Sequence, residues 1–264
     1  MEHILHKTLS TLFTAAFFKR AEKASLPQLQ SLAAQFTLPQ TQPDGKRWAK
    51  KDLVEQVHDK IREQPVDALI CAFKESRVGL ELEVKDILTH EIPVGELMET
   101  QICLPLAAFF EKNPFLQEKF SNTCDLVLKN DSVTSLNCVP CETQGLYILT
   151  IGKDGIDYIV KIGSYAETQG MSKRIGSFGG GNYETGSATN KWFQRFIKRA
   201  LAEGFTSKFT YYNNTLQQAI EVQDLAGSVV QMMPFVMRPL ESQLFQIYNK
   251  SNCNIPPLFG SNCT

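Results

Sequence analysis

Four side chains in the second half of the chain could together hydrolyse a phosphodiester bond. The reaction needs a nucleophilic water, charge compensation for the pentavalent phosphate and help for the leaving oxygen. Tyr147 could accept the water proton if a cation favours its phenolate, and Lys161 could either serve as that cation or contact the phosphate. Arg174 could clamp phosphate oxygens through its planar guanidinium. Glu241 could hold Mg²⁺ or Mn²⁺, with substrate phosphate completing the metal's ligands.

The local sequence predicts that Tyr147 and Lys161 lie on neighbouring strands. Residues 146–151 and 158–162 are two β-rich runs separated by turn residues, which predicts a hairpin, and residues 208–212 predict a third strand. Apolar periodicity predicts helices over residues 191–201, 216–224 and 239–248. The last of these helices carries Glu241 and must bring it to the hairpin.

The order of these residues resembles that of the GIY-YIG nuclease superfamily, over about residues 144–264. Gly145–Tyr147 is followed after thirteen residues by Lys161–Gly163, and then by Arg174 and Glu241. The resemblance implies an α+β fold with a small three-stranded antiparallel sheet flanked by helices. It also implies DNA cleavage with one divalent metal, an arginine on the first helix and a glutamate on a later one. Lys161 stands where many members have tyrosine, and Tyr165 is an alternative candidate for that role.

The first 64 residues predict a helical module. Apolar residues recur at steps of three and four between Leu5 and Ala24, and Ser25 is the expected N-cap of a second helix. After a break at residues 38–45, a third helix is expected over about residues 50–62. The unit resembles SAP-type DNA-binding modules, whose basic turn and second helix lie against the duplex backbone. The candidate DNA contacts are Lys46, Arg47, Lys50 and Lys51. The alternative is an ordinary helical hairpin with solvated lysines.

Four further cations are candidate DNA contacts on the helix predicted at residues 191–201. Its apolar face comprises Trp192, Phe193, Phe196 and Ile197. The opposite face comprises Lys191, Arg195, Lys198 and Arg199. These side chains are expected to point outward, where they could meet phosphate oxygens.

Charge divides the chain into three segments, which we take as predicted domains. Residues 1–64 carry 10 Lys and Arg against 7 Asp and Glu, and residues 65–143 carry 6 against 13. Residues 144–264 carry 11 against 8. We therefore expect a helical SAP-like module, an acidic intermediate region of mixed structure, and a nuclease-like domain, with DNA contacts made by the two basic ends.

Composition excludes several other classes of protein. With 264 residues, 43% of them apolar and 21% charged, the chain is neither disordered nor collagen-like. No apolar run is long enough to span a bilayer, so no membrane partner is expected. The order of charged and apolar residues near the start differs from that of a signal peptide, and the seven scattered cysteines favour a reducing, cytoplasmic compartment.

The sequence therefore predicts a metal-dependent DNA endonuclease, with restriction or phage defence as the expected setting. Cutting both strands with one site would require a homodimer or sequential nicking. A catalytically inactive DNA-binding or scaffold protein of the same fold is the main alternative. A protein-interaction module that docks through the acidic middle is another.

Overall fold

The computed structural model describes residues 2–80, 84–89, 91–100, 102–137, 144–165, 188–214, 220–223, 229–232, 237–253 and 255–259. Within these ranges the first half is helical: α1 (Glu2–Lys23), α2 (Leu26–Gln35), α3 (Lys50–Glu63), α4 (Val66–Glu75), α5 (Val84–Thr89), α6 (Val94–Glu99), α7 (Leu106–Lys112) and α8 (Pro114–Gln117). The second half consists mainly of strands, with helices among them. Its elements in chain order are β1 (Asn122–Lys129), β2 (Ser132–Leu136), β3 (Gln144–Lys153), β4 (Ile156–Tyr165), α9 (Ala188–Ala202), β5 (Thr206–Asn214), β6 (Ile220–Gln223), β7 (Val229–Met232) and α10 (Met237–Ser251).

The N-terminal helices form where the sequence predicts them. Ser25 precedes α2, and its backbone N–H donates to Gln28 Oε1 at 2.9 Å, which satisfies a donor at the helix start. α3 packs against both α1 and α2. Phe17 of α1 contacts Phe73 of α4 with ring centroids 4.4 Å apart. Burial of these apolar stripes therefore joins all four helices.

The main sheet is antiparallel and has five strands in the order β2-β1-β5-β3-β4. This confirms the α+β class, but the expected number of three strands was too low. The two extra strands come from residues 122–136, where Cys124, Leu126 and Val133 are buried. β1 pairs with β5, so the predicted acidic region supplies two strands of this sheet. The predicted boundaries at residues 64 and 143 stay predictions.

The predicted hairpin is formed by β3 and β4. Asp154 and Gly155 make the connecting turn with φ values of 53° and 81°. Two successive positive φ values match the right-handed twist of the flanking strands, which is why such turns suit tight hairpins. β4 is an edge strand of the described sheet, and the backbone N–H of Phe259 bonds to the Val160 carbonyl along that edge at 2.9 Å.

The helix predicted over residues 216–224 is wrong at residues 220–223, which form strand β6. This strand pairs with β7 in a separate two-stranded sheet, with Val222 opposite Val230. The β-branched residues Ile220 and Val222 favour a strand, and a cross-strand partner a few residues away outweighs the helical spacing. The helices predicted at 191–201 and 239–248 are confirmed as α9 and α10.

The sheet separates two apolar clusters. We call one side the aromatic face; it comprises Tyr147, Leu149, Tyr165, Phe209 and Tyr211, packs against α9 and is continuous with the core of the N-terminal helices. We call the other side the α10 face; it comprises Leu146, Ile148, Ile159 and Ile162 and packs against α7 and α10. Successive residues of a strand point to opposite sides, which explains the division.

In the described part of the chain, every helix is too short or too polar to cross a bilayer.

Candidate functional site

The two predicted motifs lie side by side in register on β3 and β4. Tyr147 is opposite Gly163, and Gly145 is opposite Tyr165. A Cβ atom at Gly163 would lie 2.8 Å from Cε1 of the Tyr147 ring and closer still to Cζ. A Cβ atom at Gly145 would overlap the Tyr165 hydroxyl and the Tyr212 carbonyl oxygen. Each tyrosine ring therefore occupies the space left by the glycine of the neighbouring strand.

Tyr165 ties the hairpin to β5. Its hydroxyl donates to the Tyr212 carbonyl oxygen at 3.2 Å and also contacts Asn213 Oδ1. Both partners lie on the strand beyond β3, so the side chain spans β3 at Gly145. The alternative catalytic role of Tyr165 stays a prediction, while the contacts themselves hold three strands together.

Tyr147 is completely enclosed. Its relative exposure is 0%, and the edge of its ring meets Phe209, with centroids 5.1 Å apart and an interplanar angle of 81°. Tyr211, its register partner on β5, is also buried. Such enclosure suits a packing role and leaves the ring out of contact with bulk solvent.

Lys161 extends from the edge strand on the side of Tyr147. It pairs in register with Leu149, two residues beyond Tyr147, and is half-buried. Its ammonium lies 5.6 Å from the centroid of the Phe193 ring of α9. The aromatic ring attracts the cation, so the ammonium is held beside α9 on the aromatic face.

Glu241 lies in α10 on the opposite side of the sheet. Its Oε2 atom accepts a hydrogen bond from the Ser164 hydroxyl at 2.5 Å. Ser164 follows Gly163 directly and pairs with Leu146, so its side chain belongs to the α10 face. Sequence reasoning missed Ser164, although its position between Gly163 and Tyr165 was a usable signal.

The structure thus brings Tyr147, Lys161 and Glu241 to the edge strand β4 but from two sides of the sheet. Tyr147 and Lys161 are on the aromatic face, whereas Glu241 reaches Ser164 on the α10 face. Arg174 lies outside the described residues. β4 is the element common to both sides, so any joint action of Lys161 and Glu241 takes place across its edge.

A group of buried hydrogen bonds, which we call the polar joint, holds the C-terminal end of α10 in place. The Leu104 backbone N–H donates to the Tyr248 hydroxyl at 3.2 Å, and the Asn252 amide donates to the Ile102 carbonyl at 3.0 Å. Burial raises the pKa of Tyr248 far above its usual range, so the hydroxyl stays protonated. The joint holds α10 in one orientation and thereby sets where Glu241 lies.

The predicted DNA contacts of the N-terminal module lie in the turn between α2 and α3 and in the first turn of α3. Arg47, Lys50 and Lys51 are exposed. Lys46 pairs with Asp44 at 3.0 Å, and the backbone N–H of Lys46 holds the pKa of the Asp44 carboxyl below its usual range. Thr41 forms a backbone bridge with Arg47, which closes the turn.

The cations of α9 are mostly engaged. Lys198 pairs with Asp131 at 2.8 Å, and Arg199 pairs with Glu203 at 2.9 Å. The Arg195 guanidinium is 5.0 Å from the centroid of the Trp192 ring. The side chain of Lys191 lies outside the described residues. Of these four candidates, Arg195 is the exposed one among the described side chains.

Comparison with known proteins gives little guidance. No protein-family model matches the chain, and no curated protein matches it. Among solved structures, a mutant of bacteriophage T4 EndoII is similar with a TM-score of 0.38 and 16% identity, over 52% of this chain and 94% of that one. A likeness this low does not establish a common fold or a common activity.

Proposed function

We propose that the protein is a divalent-metal-dependent endonuclease that hydrolyses DNA phosphodiester bonds at the edge of β4. The observation that carries this proposal is the bond between Ser164 and Glu241, which places a carboxylate beside the second glycine of the paired motifs. This carboxylate is half-buried at the rim of the sheet, where an extended polyanion could reach it.

The donor set at Glu241 fits a hard cation. A carboxylate beside a hydroxyl offers oxygen ligands, and Mg²⁺ commonly uses one or two carboxylates while water and substrate phosphate supply the rest. Among the described residues, no group of three His, Cys, Asp or Glu side chains could hold a metal alone. The proposed site therefore depends on the substrate phosphate for part of its ligand set.

In this proposal each residue of the candidate site has a separate role. Ser164 fixes the Glu241 carboxylate, Lys161 and Arg174 hold phosphate oxygens, and Tyr147 positions β4 by filling the space over Gly163. A divalent cation at Glu241 would activate a water and neutralise charge on the phosphate. Assigning Tyr147 a positioning role follows from its complete burial.

The N-terminal module would hold the duplex while the sheet edge acts on it. Arg47, Lys50 and Lys51 are exposed cations at or near the start of α3, where helix N–H groups also favour a phosphate. Such contacts recognise the backbone and carry no sequence information. They would raise affinity for DNA without setting the cleavage position.

Plasmid cleavage tests the proposal. Supercoiled plasmid is incubated with wild-type protein or with Glu241→Gln, with Mg²⁺ or with EDTA, and nicked and linear products are followed. We expect cleavage only by the wild type with metal, and at least a hundredfold loss in the variant. The matched control is Glu203→Gln, which removes a carboxylate that pairs with Arg199 near the turn between β3 and β4, at the opposite end of β4 from Ser164. Cleavage that persists in Glu241→Gln would refute the assigned site.

A catalytically inactive DNA-binding protein is the second candidate. It is favoured by the separation of Tyr147 and Glu241 onto opposite sides of the sheet. In that case folded protein would bind DNA with strong salt dependence but would cut none of a panel of sequences with either Mg²⁺ or Mn²⁺.

A further inference from the structure

Gln144, the first residue of β3, carries a polar atom that the fold leaves unsatisfied. The residue is buried, with a relative exposure of 9%. Within the part of the chain that the structure describes, its Oε1 atom is buried and accepts no hydrogen bond. Burying an amide oxygen without a partner lowers the stability of the folded state. A group of this kind calls for a specific explanation.

The strand places Gln144 on the α10 face. Alternate residues of β3 share a side, and Leu146 and Ile148 both belong to the α10 face. Leu146 is the register partner of Ser164, so Gln144 and Ser164 are diagonal neighbours on that side of the sheet. Diagonal neighbours lie about 7–8 Å apart, with their Cβ atoms somewhat closer, and long side chains bridge this distance.

The direction of α10 brings its first turns to the same end of the sheet. Glu241, near the start of the helix, bonds to Ser164 near the end of β4. Tyr248, two turns later, bonds to Leu104, whose carbonyl accepts from Ile159 near the other end of β4. The helix therefore begins over the end of the sheet where Gln144 is buried.

The chemistry of the unsatisfied atom restricts what could occupy this place. An amide oxygen is an acceptor, so an ionised phosphate, which offers only acceptors, does not satisfy it. A divalent cation does, because carboxylate and amide oxygens together are ligands of Mg²⁺ and Ca²⁺. We propose that Gln144 Oε1 is a second protein oxygen of the cation site centred on Glu241. The inference rests on the proposed function, and it adds a ligand that the sequence motifs do not include.

Direct measurement of cation binding tests this role without any reaction. Mn²⁺ is titrated into the protein with inorganic phosphate present in place of the DNA phosphate, and bound Mn²⁺ is followed by electron paramagnetic resonance. We expect Gln144→Leu to weaken Mn²⁺ binding about tenfold, as losses around metal sites commonly do. Gln144→Glu should tighten binding, because it supplies a charged oxygen at the same place. Glu241→Gln should reduce binding more than either change at residue 144.

Thr150→Val is the matched control. Thr150 is on the same strand and the same side as Gln144, is fully buried, and lies six residues away, where its hydroxyl contacts the Lys208 carbonyl at 3.4 Å. Its loss removes a buried polar group of β3 but should leave Mn²⁺ affinity unchanged. Circular dichroism of each variant verifies that the sheet is folded.

The outcomes separate this inference from the proposed function. If Glu241→Gln leaves Mn²⁺ affinity unchanged, there is no cation site at Glu241 and both proposals fail. If Glu241→Gln abolishes binding while neither Gln144→Leu nor Gln144→Glu alters it, only the role of Gln144 is refuted. If Gln144→Leu unfolds the protein, tighter Mn²⁺ binding by Gln144→Glu still supports the role, and unchanged binding refutes it.

Discussion

The two sides of the main sheet differ in the polar side chains that they present near the ends of β3 and β4. On the aromatic face, Tyr147 and Tyr165 fill the space over Gly163 and Gly145, and Tyr147, Tyr165, Phe209 and Tyr211 are all buried. On the α10 face, Gln144 of β3 and Ser164 of β4 lie near the ends of the same two strands, and Glu241 of α10 bonds to Ser164 at the rim of an apolar cluster. The tyrosines of the two motifs thus pack the hairpin, whereas the oxygen atoms of the proposed cation site belong to Glu241 and Gln144 on the other side.

This contrast explains why a strand carries glycine, serine and tyrosine in succession. Gly163 admits the ring of Tyr147, and Tyr165 reaches back over Gly145. Ser164, between them, necessarily points to the other side and meets Glu241. A single three-residue segment therefore fixes the register of the hairpin on one side and orients a carboxylate on the other.

Among the changes on the aromatic face, filling the space at Gly163 with a side chain should lower the stability of the protein most. Gly163→Ala places a Cβ atom 2.8 Å from Cε1 of Tyr147 and closer still to Cζ, so the enclosed ring has to shift against its neighbours. We expect the free energy of unfolding in urea to fall by about 3 kcal/mol. In the background of Tyr147→Leu the same glycine change should cost much less, because the ring is gone.

Gly155→Ala provides the control for that measurement. Gly155 has a φ of 81° but no atom near its missing Cβ, so alanine there costs only the strain of the left-handed backbone, about 1 kcal/mol. A loss at Gly163 no larger than the loss at Gly155 would mean that the aromatic face is loosely packed, and the contrast between the two sides would disappear.

Much of the local structure could be predicted from sequence because it depends on neighbouring residues. The cap at Ser25, the turn at Asp154 and Gly155, and the apolar stripe of α9 are all short-range features. The strand at residues 220–223 was mistaken for helix because its partner β7 supplies the deciding interaction. Strands β1 and β2 were not located within the acidic region, because fewer than half of their residues are apolar and β5, which pairs with β1, is far away along the chain.

The candidate site could be predicted only in part, because it depends on packing between distant elements. Strand alternation assigns Tyr147 and Lys161 to one side once the hairpin register is known. No local signal says on which side α10 packs, and that choice decides that Glu241 meets Ser164 rather than Tyr147. For the same reason the sequence does not single out Gln144.

Removing the charge of Lys161 should have a smaller effect, limited to DNA binding. Lys161→Met keeps the apolar stem beside Phe193 but deletes the ammonium. Binding to a short duplex is measured in EDTA over a range of salt concentrations. If Lys161 contacts a phosphate across the β4 edge, the slope of log K against log salt should decrease in magnitude by about 1.

The matched control for the Lys161 variant is Lys208→Met. Lys208 is a half-buried lysine of the same sheet, but its ammonium pairs with Asp157 at 3.2 Å near the turn between β3 and β4. Its loss should leave the salt dependence unchanged. Equal slopes for wild type and Lys161→Met would show that Lys161 does not contact DNA. Any DNA contact at the edge of β4 would then be made by residues of the α10 face.

Tyr147→Phe should have the smallest effect, and it tests the contrast most directly. The change keeps the ring over Gly163 and deletes only the hydroxyl, so a positioning residue should retain plasmid cleavage within about twofold. A proton acceptor in the reaction would instead lose about a hundredfold or more. The free energy of unfolding, measured on the same sample, separates the two explanations of any loss. A large loss of cleavage with unchanged stability would mean that the Tyr147 hydroxyl reaches the substrate. The aromatic face would then have to open when DNA binds. The assignment of packing to the aromatic face and of catalysis to the α10 face would be wrong.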